Sequence, residues 1–266
     1  MQPELLANDI GVAFGRTEIL HGVCMRARAG ELTAIVGPNG SGKTTLMRVL
    51  TGELASGTGD VSLNAHPLAG MKPWELASLR AVLAQSVTLS FPFTVREVVQ
   101  LGLSSGWNAR TADAAVLVEN ALELVDLAGF EGRYYQQLSG GEQQRVQFAR
   151  VLTQIWQPMD EDGPRWLFLD EPVSSLDIRH QLQIMEIAKN YAERGGGVIA
   201  VMHDLNLTAM FADHVVVMHK GRVAAAGAPG EVMNDALLAH VFGCHLKVGK
   251  APPPGTAFVL PHSAYG

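Results

Sequence analysis

The feature that most constrains this chain is a glycine-rich run at residues 37–44, which reads GPNGSGKT. It follows the apolar run LTAIV at residues 32–36 and precedes a helical pattern, TLMRVLTGE. A strand, a glycine-rich loop and a helix in this order are typical of a phosphate-binding loop. Gly37, Gly40 and Gly42 let the backbone N–H groups point inward, and the helix N-terminus favours negative charge. The sequence therefore predicts an α/β protein that holds the β- and γ-phosphates of a nucleotide.

The rest of the loop supplies a positive charge and an oxygen ligand. Lys43 is expected to lie beside the phosphates, and the Thr44 hydroxyl is expected to bind Mg²⁺, a hard cation that prefers oxygen. The predicted nucleotide contacts are Gly37, Pro38, Asn39, Gly40, Ser41, Gly42, Lys43, Thr44 and Thr45.

Two adjacent acids follow another apolar run, in the segment WLFLDEP at residues 166–172. A carboxylate at the end of a neighbouring strand suits the Mg²⁺ shell, so Asp170 is expected to orient the waters of the metal. Glu171 is expected to polarise the water that attacks the phosphate. A solvated acid pair at a strand end is the alternative, and the phosphate-binding loop in the same chain favours the catalytic interpretation.

Apolar runs without alternation indicate parallel strands that are buried on both faces. A helical pattern begins after Asp177, a predicted N-cap, and the alternation of strands with helices predicts an α/β sheet. The first 30 residues alternate partially and predict an antiparallel edge sheet. The runs are LTAIVG (32–37), WLFLD (166–170), GVIAVMH (197–203) and HVVVMH (214–219).

Residues 94–157 contain no strand-like run, and they predict three helices, in TVREVVQLGL, TADAAVLVENALELV and GEQQRVQFARVLTQIW. The predicted fold is α/β, a P-loop NTPase core with a parallel sheet, an N-terminal antiparallel β subdomain and an inserted helical subdomain. We expect a single domain over residues 1–266, and we predict that the polar insert QPMDEDGP (157–164) is a solvated loop. The expected parts are the core at about 1–85 and 165–245, the helical subdomain at about 86–164, and a C-terminal tail at 246–266.

Charge and composition exclude several classes of protein. With 20 Lys and Arg against 26 Asp and Glu, the net charge is −6, which argues against a nucleic-acid-binding protein. Cys24 and Cys244 form no metal or redox motif, and the start of the chain has no signal-peptide pattern, so we expect a reducing, cytoplasmic compartment. No run approaches the roughly 18 apolar residues of a membrane span. Charged residues make up only 17 %, which favours a surface that meets a partner.

The segment LSGGEQQR at residues 138–145 has two interpretations. Ser139 and Glu142 have the spacing of a capping box, whereas Gly140 and Gly141 weaken a helix and instead suit close approach of an anion. The order GPNGSGKT, LSGGEQQR, LFLDEP resembles the ATP-binding-cassette ATPases. The resemblance implies ATP and Mg²⁺ as ligands and a head-to-tail homodimer, in which Ser139, Gly140 and Gly141 contact the γ-phosphate of the ATP held by the second copy.

Further positions match the pattern of that family. Gln85 resembles the Q-loop glutamine that senses Mg²⁺ and the γ-phosphate, and SSLD at residues 174–177 resembles the D-loop. His203 resembles the switch histidine that holds the γ-phosphate, and Phe14 lies where the family stacks an aromatic ring on adenine. A single residue of any of these types more often has a structural role than a catalytic one. The order and spacing of all of them together support the assignment to this family. The implied catalytic residues are Glu171, His203 and Gln85, and the implied metal ligands are Thr44, Gln85 and Asp170.

The subfamily follows from longer segments. HDLN (203–206) and SFPFTVREVVQLGL (90–103) resemble the ATPases of importers for iron chelates, vitamin B12 and haem, and residues 133–156 most resemble the haem branch. The implied function is ATP hydrolysis that drives haem uptake, at the cytoplasmic face of the inner membrane, with no nucleic-acid partner. A permease dimer is the implied membrane partner, and a periplasmic binding protein is an indirect one. The groove expected to accept a coupling helix from the permease lies beside Gln85 and is lined by Phe91, Pro92, Phe93 and Val95.

Other functions stay open from sequence alone. The same ATPase role in a ferric siderophore or vitamin B12 importer is the nearest alternative. A soluble cassette protein acting on DNA or ribosomes would usually show a coiled-coil insert, a second cassette or a basic face. A small-molecule kinase would leave LSGGEQQR and His203 without a purpose, and the HDLN pattern disfavours an exporter or a lipid-extracting cassette.

Overall fold

The structure is a computed structural model that describes residues 3–85, 87, 89–104 and 114–265. Its strands are β1 Glu4–Phe14, β2 Thr17–Arg28, β3 Leu32–Val36, β4 Thr58–Leu63, β5 His66–Pro67, β6 Arg80–Leu83, β7 Met159–Asp160, β8 Gly163–Pro164, β9 Trp166–Asp170, β10 Gly197–Val201, β11 His214–His219 and β12 Arg222–Gly227. Its helices are α1 Lys43–Leu50, α2 Pro73–Leu79, α3 Val95–Ser104, α4 Ala114–Leu124, α5 Gly140–Gln154, α6 Ile178–Glu193, α7 Leu205–Phe211, α8 Pro229–Val232 and α9 Asp235–Phe242.

The central sheet of the described residues has six strands in the order β12-β11-β3-β10-β9-β6. The pairs β11–β3, β3–β10, β10–β9 and β9–β6 are parallel, and only the edge pair β11–β12 is antiparallel. All four apolar runs of the sequence form strands of this sheet, so the predicted parallel core is confirmed.

Successive residues of each central strand pack into two different apolar cores. In β9, Leu167 and Leu169 belong to the core formed with the helices α3–α6. Trp166 and Phe168 belong to the core formed with α1 and the N-terminal sheet. All four side chains are fully buried, which explains why the strand is apolar at every position. The central sheet therefore lies between a helical layer and a second sheet.

The N-terminal sheet is antiparallel, with the order β2-β1-β4-β5. The predicted antiparallel β subdomain is therefore present, but it is a separate sheet rather than an edge of the central one. The segment Thr58–Leu63 also forms a strand of this sheet, and the sequence analysis did not predict it.

The predicted helices of residues 94–157 correspond to α3, α4 and α5. The first residues of the second predicted helix, 111–113, lie outside the described part of the chain. In that described part, no helix combines the length and the apolar character needed to cross a membrane.

The prediction of a solvated loop at residues 157–164 is wrong, because the insert forms the β7–β8 hairpin. The Asn64 side chain donates to the Pro164 carbonyl at 2.8 Å and accepts from Trp166 Nε1 at 3.0 Å. Arg165 pairs with Asp160. The contact from Asn64, 100 residues earlier, helps to hold the hairpin, and a pattern read along the insert alone does not contain it.

Helices α3 and α5 approach closely at Gly102, where a Cβ atom would lie 2.1 Å from the Arg150 carbonyl oxygen and 2.3 Å from Thr153 Oγ1. We expect Gly102→Ala to lower the free energy of unfolding by about 2 kcal/mol, because overpacking outweighs the gain in helix propensity. Gly132→Ala is the control, since no atom lies within 4 Å of its added Cβ, and it should change stability by less than about 0.5 kcal/mol. Denaturant titration measures both, and equal midpoints for the two variants would contradict the packing argument.

Candidate nucleotide-binding site

The predicted site residues follow four neighbouring strands, because the carboxyl ends of parallel strands meet at one edge of the sheet. The phosphate-binding loop follows β3, His203 follows β10, Glu171 follows β9, and Gln85 follows β6. They surround a cavity of about 690 Å³. Its lining residues are Ile19, Asn39, Gly40, Gly42, Lys43, Thr44, Thr45, Gln85, Glu171 and His203.

Gly37 starts the loop in a conformation that other residues rarely adopt. Its φ is 152°, and a Cβ there would lie 2.2 Å from the Met218 carbonyl oxygen on β11. Lys43 Nζ donates to the carbonyls of Gly37 at 2.9 Å and Pro38 at 3.1 Å. Burial lowers the pKa of Lys43, while Glu171 and Asp170 oppose that shift. The ammonium group is thus held against the loop and close to the two acids.

Asp170 is the buried member of the acid pair, with 6 % of its surface exposed. Burial, and then the neighbouring charge of Glu171, raise the pKa of Asp170 to about 6, although Lys43 and His203 lower it. Its Oδ1 atom is buried and has no hydrogen-bond partner among the described residues. A buried carboxylate oxygen without a partner is a ligand that fits Mg²⁺, and so is the hydroxyl of Thr44, a residue that lines the cavity.

Glu171 and His203 form a polar pair on the cavity wall. His203 Nε2 lies 2.6 Å from Glu171 Oε1, and the Glu171 side chain is 15 % exposed against 44 % for His203. Glu171 has a φ of 53°, so the chain turns sharply after the end of β9. This turn leaves Asp170 in the core and aims the next carboxylate at the cavity, where it can accept a proton from a bound water.

Phe14 and the LSGGEQQR segment do not line this cavity. Phe14 is 51 % exposed at the β1–β2 turn. Ser139 caps α5 in a capping box, with its side chain accepting from Glu142 N at 3.3 Å and its N–H donating to Glu142 Oε2 at 2.7 Å. Gly140 has no atom within 4 Å of an added Cβ. The local capping interpretation is therefore correct, and the glycine at the helix start still faces open space.

The sequence analysis missed two residues near the site. Ile19 on β2 lines the cavity, and an apolar residue in an alternating strand carries no signal of such a role. Gln144 on α5 contacts the segment that contains Glu171. Its position within LSGGEQQR is the one signal that could have marked it.

A family model described as "ABC transporter" matches residues 20–174, more than half of the chain. The chain belongs to the ABC transporter family. The resemblance drawn from the three motifs is therefore confirmed, and the cavity described above is that of an ABC cassette.

Curated relatives match this ABC transporter chain over nearly its full length. A hemin import ATP-binding protein HmuV from Jannaschia sp. (strain CCS1) is 58 % identical over 260 residues, which cover 98 % of this chain and 95 % of the relative. The protein of the same name from Rhizobium meliloti (strain 1021) is 55 % identical, covering 97 % and 98 % of the two chains.

Solved ABC cassettes share the fold. A dimeric structure of a bacterial ABC transporter cassette has a TM-score of 0.74 at 25 % identity, covering 85 % of this chain and 98 % of that one. A putative metal-chelate type ABC transporter in an inward-facing conformation has a TM-score of 0.77 at 19 % identity, and the match covers 96 % of this chain and 95 % of that one. The α/β fold with its antiparallel β subdomain is thus that of ABC ATPase cassettes.

Proposed function

We propose that this chain is the ATP-hydrolysing subunit of an ABC importer that takes up haem. The observation that carries hydrolysis is that Lys43, Glu171 and His203 line one cavity beside the phosphate-binding loop. The buried Asp170 is close enough to all three for their charges to act on its carboxyl group. The haem substrate rests on the relatives at 55 % and 58 % identity that are named hemin import ATP-binding proteins.

The chemistry follows from the positions of the side chains. The loop backbone and Lys43 bind the β- and γ-phosphates, and Thr44, Asp170 and Gln85 would hold Mg²⁺. Mg²⁺, when bound, neutralises negative charge on the phosphate oxygens. Glu171 accepts a proton from the attacking water, and His203 orients that carboxylate through the 2.6 Å contact.

The proposed active unit is a head-to-tail homodimer. Ser139, Gly140 and Gly141 lie off the cavity of their own chain, and Gly140 is open to solvent contact. Placed over the γ-phosphate held by a second copy, they would add donors at a helix N-terminus. Phe14, half exposed, would stack on adenine. Because these contacts to phosphate exist only in the closed dimer, ATP binding favours closure and hydrolysis reverses it.

The proposed membrane partner is a permease dimer that docks beside Gln85, at the cytoplasmic face of the inner membrane. Phe91 is 70 % exposed, whereas Val95 is fully buried and therefore does not line this surface as predicted. The Phe91 and Phe93 rings lie edge to face with centroids 6.4 Å apart. Exposed aromatic side chains suit an amphipathic helix from the permease. A periplasmic binding protein would deliver the substrate to the permease and would not touch this chain.

Transport by the reconstituted complex tests the substrate. The complex of this chain with its permease is placed in vesicles, and ATP-dependent uptake is measured separately for haem, a ferric siderophore and vitamin B12, each supplied with its binding protein. We expect the vesicles to take up haem but neither the siderophore nor the vitamin. No substrate should be taken up when the complex carries Glu171→Gln. ATP-dependent uptake of the siderophore or the vitamin without haem would reassign the substrate.

A further inference from the structure

The Gln144 side chain uses both ends of its amide to join helix α5 to the segment after β9. Its Nε2 donates to the Glu171 carbonyl at 3.0 Å, and its Oε1 accepts from the Ser175 N–H at 3.3 Å. One side chain thus spans the turn that begins at the proposed catalytic carboxylate and ends in the SSLD segment. We propose that Gln144 is a positioning residue that couples the two ATP sites of the dimer.

A second contact brings α5 onto the same turn. A Cβ at Gly141 would lie 3.1 Å from the Ser175 carbonyl oxygen, so the first turn of the helix rests against the backbone of the SSLD segment. Together with the amide of Gln144, this close approach fixes the helix start to the turn at two points. Movement of one therefore requires movement of the other or the loss of these contacts.

The turn itself depends on few other contacts at its first residue. Glu171 has a left-handed φ of 53°, a conformation that costs energy in a non-glycine residue. Its N–H donates to the Val201 carbonyl at 3.2 Å, and its carbonyl accepts from Ser174 N at 3.3 Å and Ser174 Oγ at 3.2 Å as well as from Gln144 at 3.0 Å. Gln144 thus contributes the shortest of these bonds and is the one that comes from outside the core strands and the turn.

The coupling rests on the proposed homodimer. There, Ser139–Gly141 of one chain touches the ATP of its partner, whereas Glu171 of the same chain accepts a proton from the water that attacks its own ATP. Gln144 lies between these two parts. When the start of α5 binds the phosphate of the partner's ATP, Gln144 would therefore fix the position of the Glu171 backbone at the chain's own ATP. Binding at one site then promotes hydrolysis at the other, and the two sites are cooperative.

The test compares Gln144→Met with Gln143→Met. Methionine keeps the length and helix propensity of glutamine and removes both hydrogen bonds. Gln143 on the same helix is the matched control, because its Nε2 also donates to two carbonyls, of Tyr135 at 3.1 Å and of Leu138 at 3.2 Å, which precede the helix and lie outside the Glu171–Ser175 turn. Gln144→Glu is a second variant that keeps the acceptor for Ser175 and removes the donor to Glu171.

ATPase rate is measured against ATP concentration, with thermal unfolding recorded for each variant. A two-site dimer permits a Hill coefficient of up to about 2. We expect both Gln144 variants to lower kcat about tenfold and to bring the Hill coefficient to about 1, while the ATP concentration at half-maximal rate changes less than about twofold. Gln143→Met should keep the wild-type Hill coefficient.

Three results would overturn the proposal. One is a wild-type kcat and Hill coefficient in the Gln144 variants, and another is an equal loss in Gln143→Met, which would show only that α5 is destabilised. The third is a wild-type protein that hydrolyses ATP without cooperativity. A wild-type protein without any ATPase activity would contradict the proposed function itself, so the two failures are distinguishable.

Discussion

The Glu171→Gln variant is expected to hydrolyse ATP about 10³-fold more slowly than the wild type, the range typical for loss of a general base. The amide has the shape of the carboxylate and can still accept from His203 Nε2, which lies 2.6 Å from Glu171 Oε1 in the wild type. It cannot accept a proton from water at neutral pH. Phosphate release under saturating ATP measures the loss, while calorimetry should show nearly unchanged ATP affinity.

Glu161→Gln is the matched control for this prediction. It removes the same charge from an exposed residue of the β7–β8 hairpin, on the far side of the sheet from the cavity, because the hairpin precedes the amino end of β9. Its ATPase rate should equal that of the wild type. A Glu171→Gln rate within about tenfold of the wild type would show that another group accepts the proton.

Lys43→Ala is expected to weaken ATP binding by about 10- to 100-fold, the value of a charge-assisted hydrogen bond to phosphate. The ammonium group is held at the loop by the carbonyls of Gly37 and Pro38, so it needs little reorganisation to reach a phosphate. Calorimetry with ATP in the Glu171→Gln background measures affinity without turnover.

Lys247→Ala serves as the control for that measurement. Lys247 is 62 % exposed and pairs with Asp235 in the C-terminal part of the chain, so its loss should leave ATP affinity unchanged. Equal affinities for Lys43→Ala and Lys247→Ala would contradict the assignment of residues 37–44 as the phosphate-binding loop.

The central fold was predictable because its signals are local. Strands buried on both faces are apolar at every position, as in β9 and β10. Asp177 was predicted as an N-cap, and its side chain accepts from His180 N at 3.0 Å at the start of α6. The acid pair was predictable for the same reason, since a strand end and two carboxylates are adjacent in sequence.

The rest depended on contacts between distant segments. Strand β12 alternates between half-buried and exposed residues and is rich in alanine, so it gave no strong pattern. The β7–β8 hairpin is held by Asn64, about 100 residues earlier. Gln144 contacts Glu171 from another helix. Such pairs become visible only when the chain is folded.

Formation of an ATP-dependent dimer tests the central claim most directly. Glu171→Gln is examined by mass measurement in solution with Mg²⁺ and ATP, and again after Gly140→Asp is added. Gly140 has room for a side chain within its own chain, so the second change should act only where a partner's phosphates approach. We predict that the Glu171→Gln variant has twice the 28.5 kDa of one chain with ATP, and that the double variant stays at the mass of one. A Glu171→Gln protein that binds ATP and remains a monomer would contradict the account.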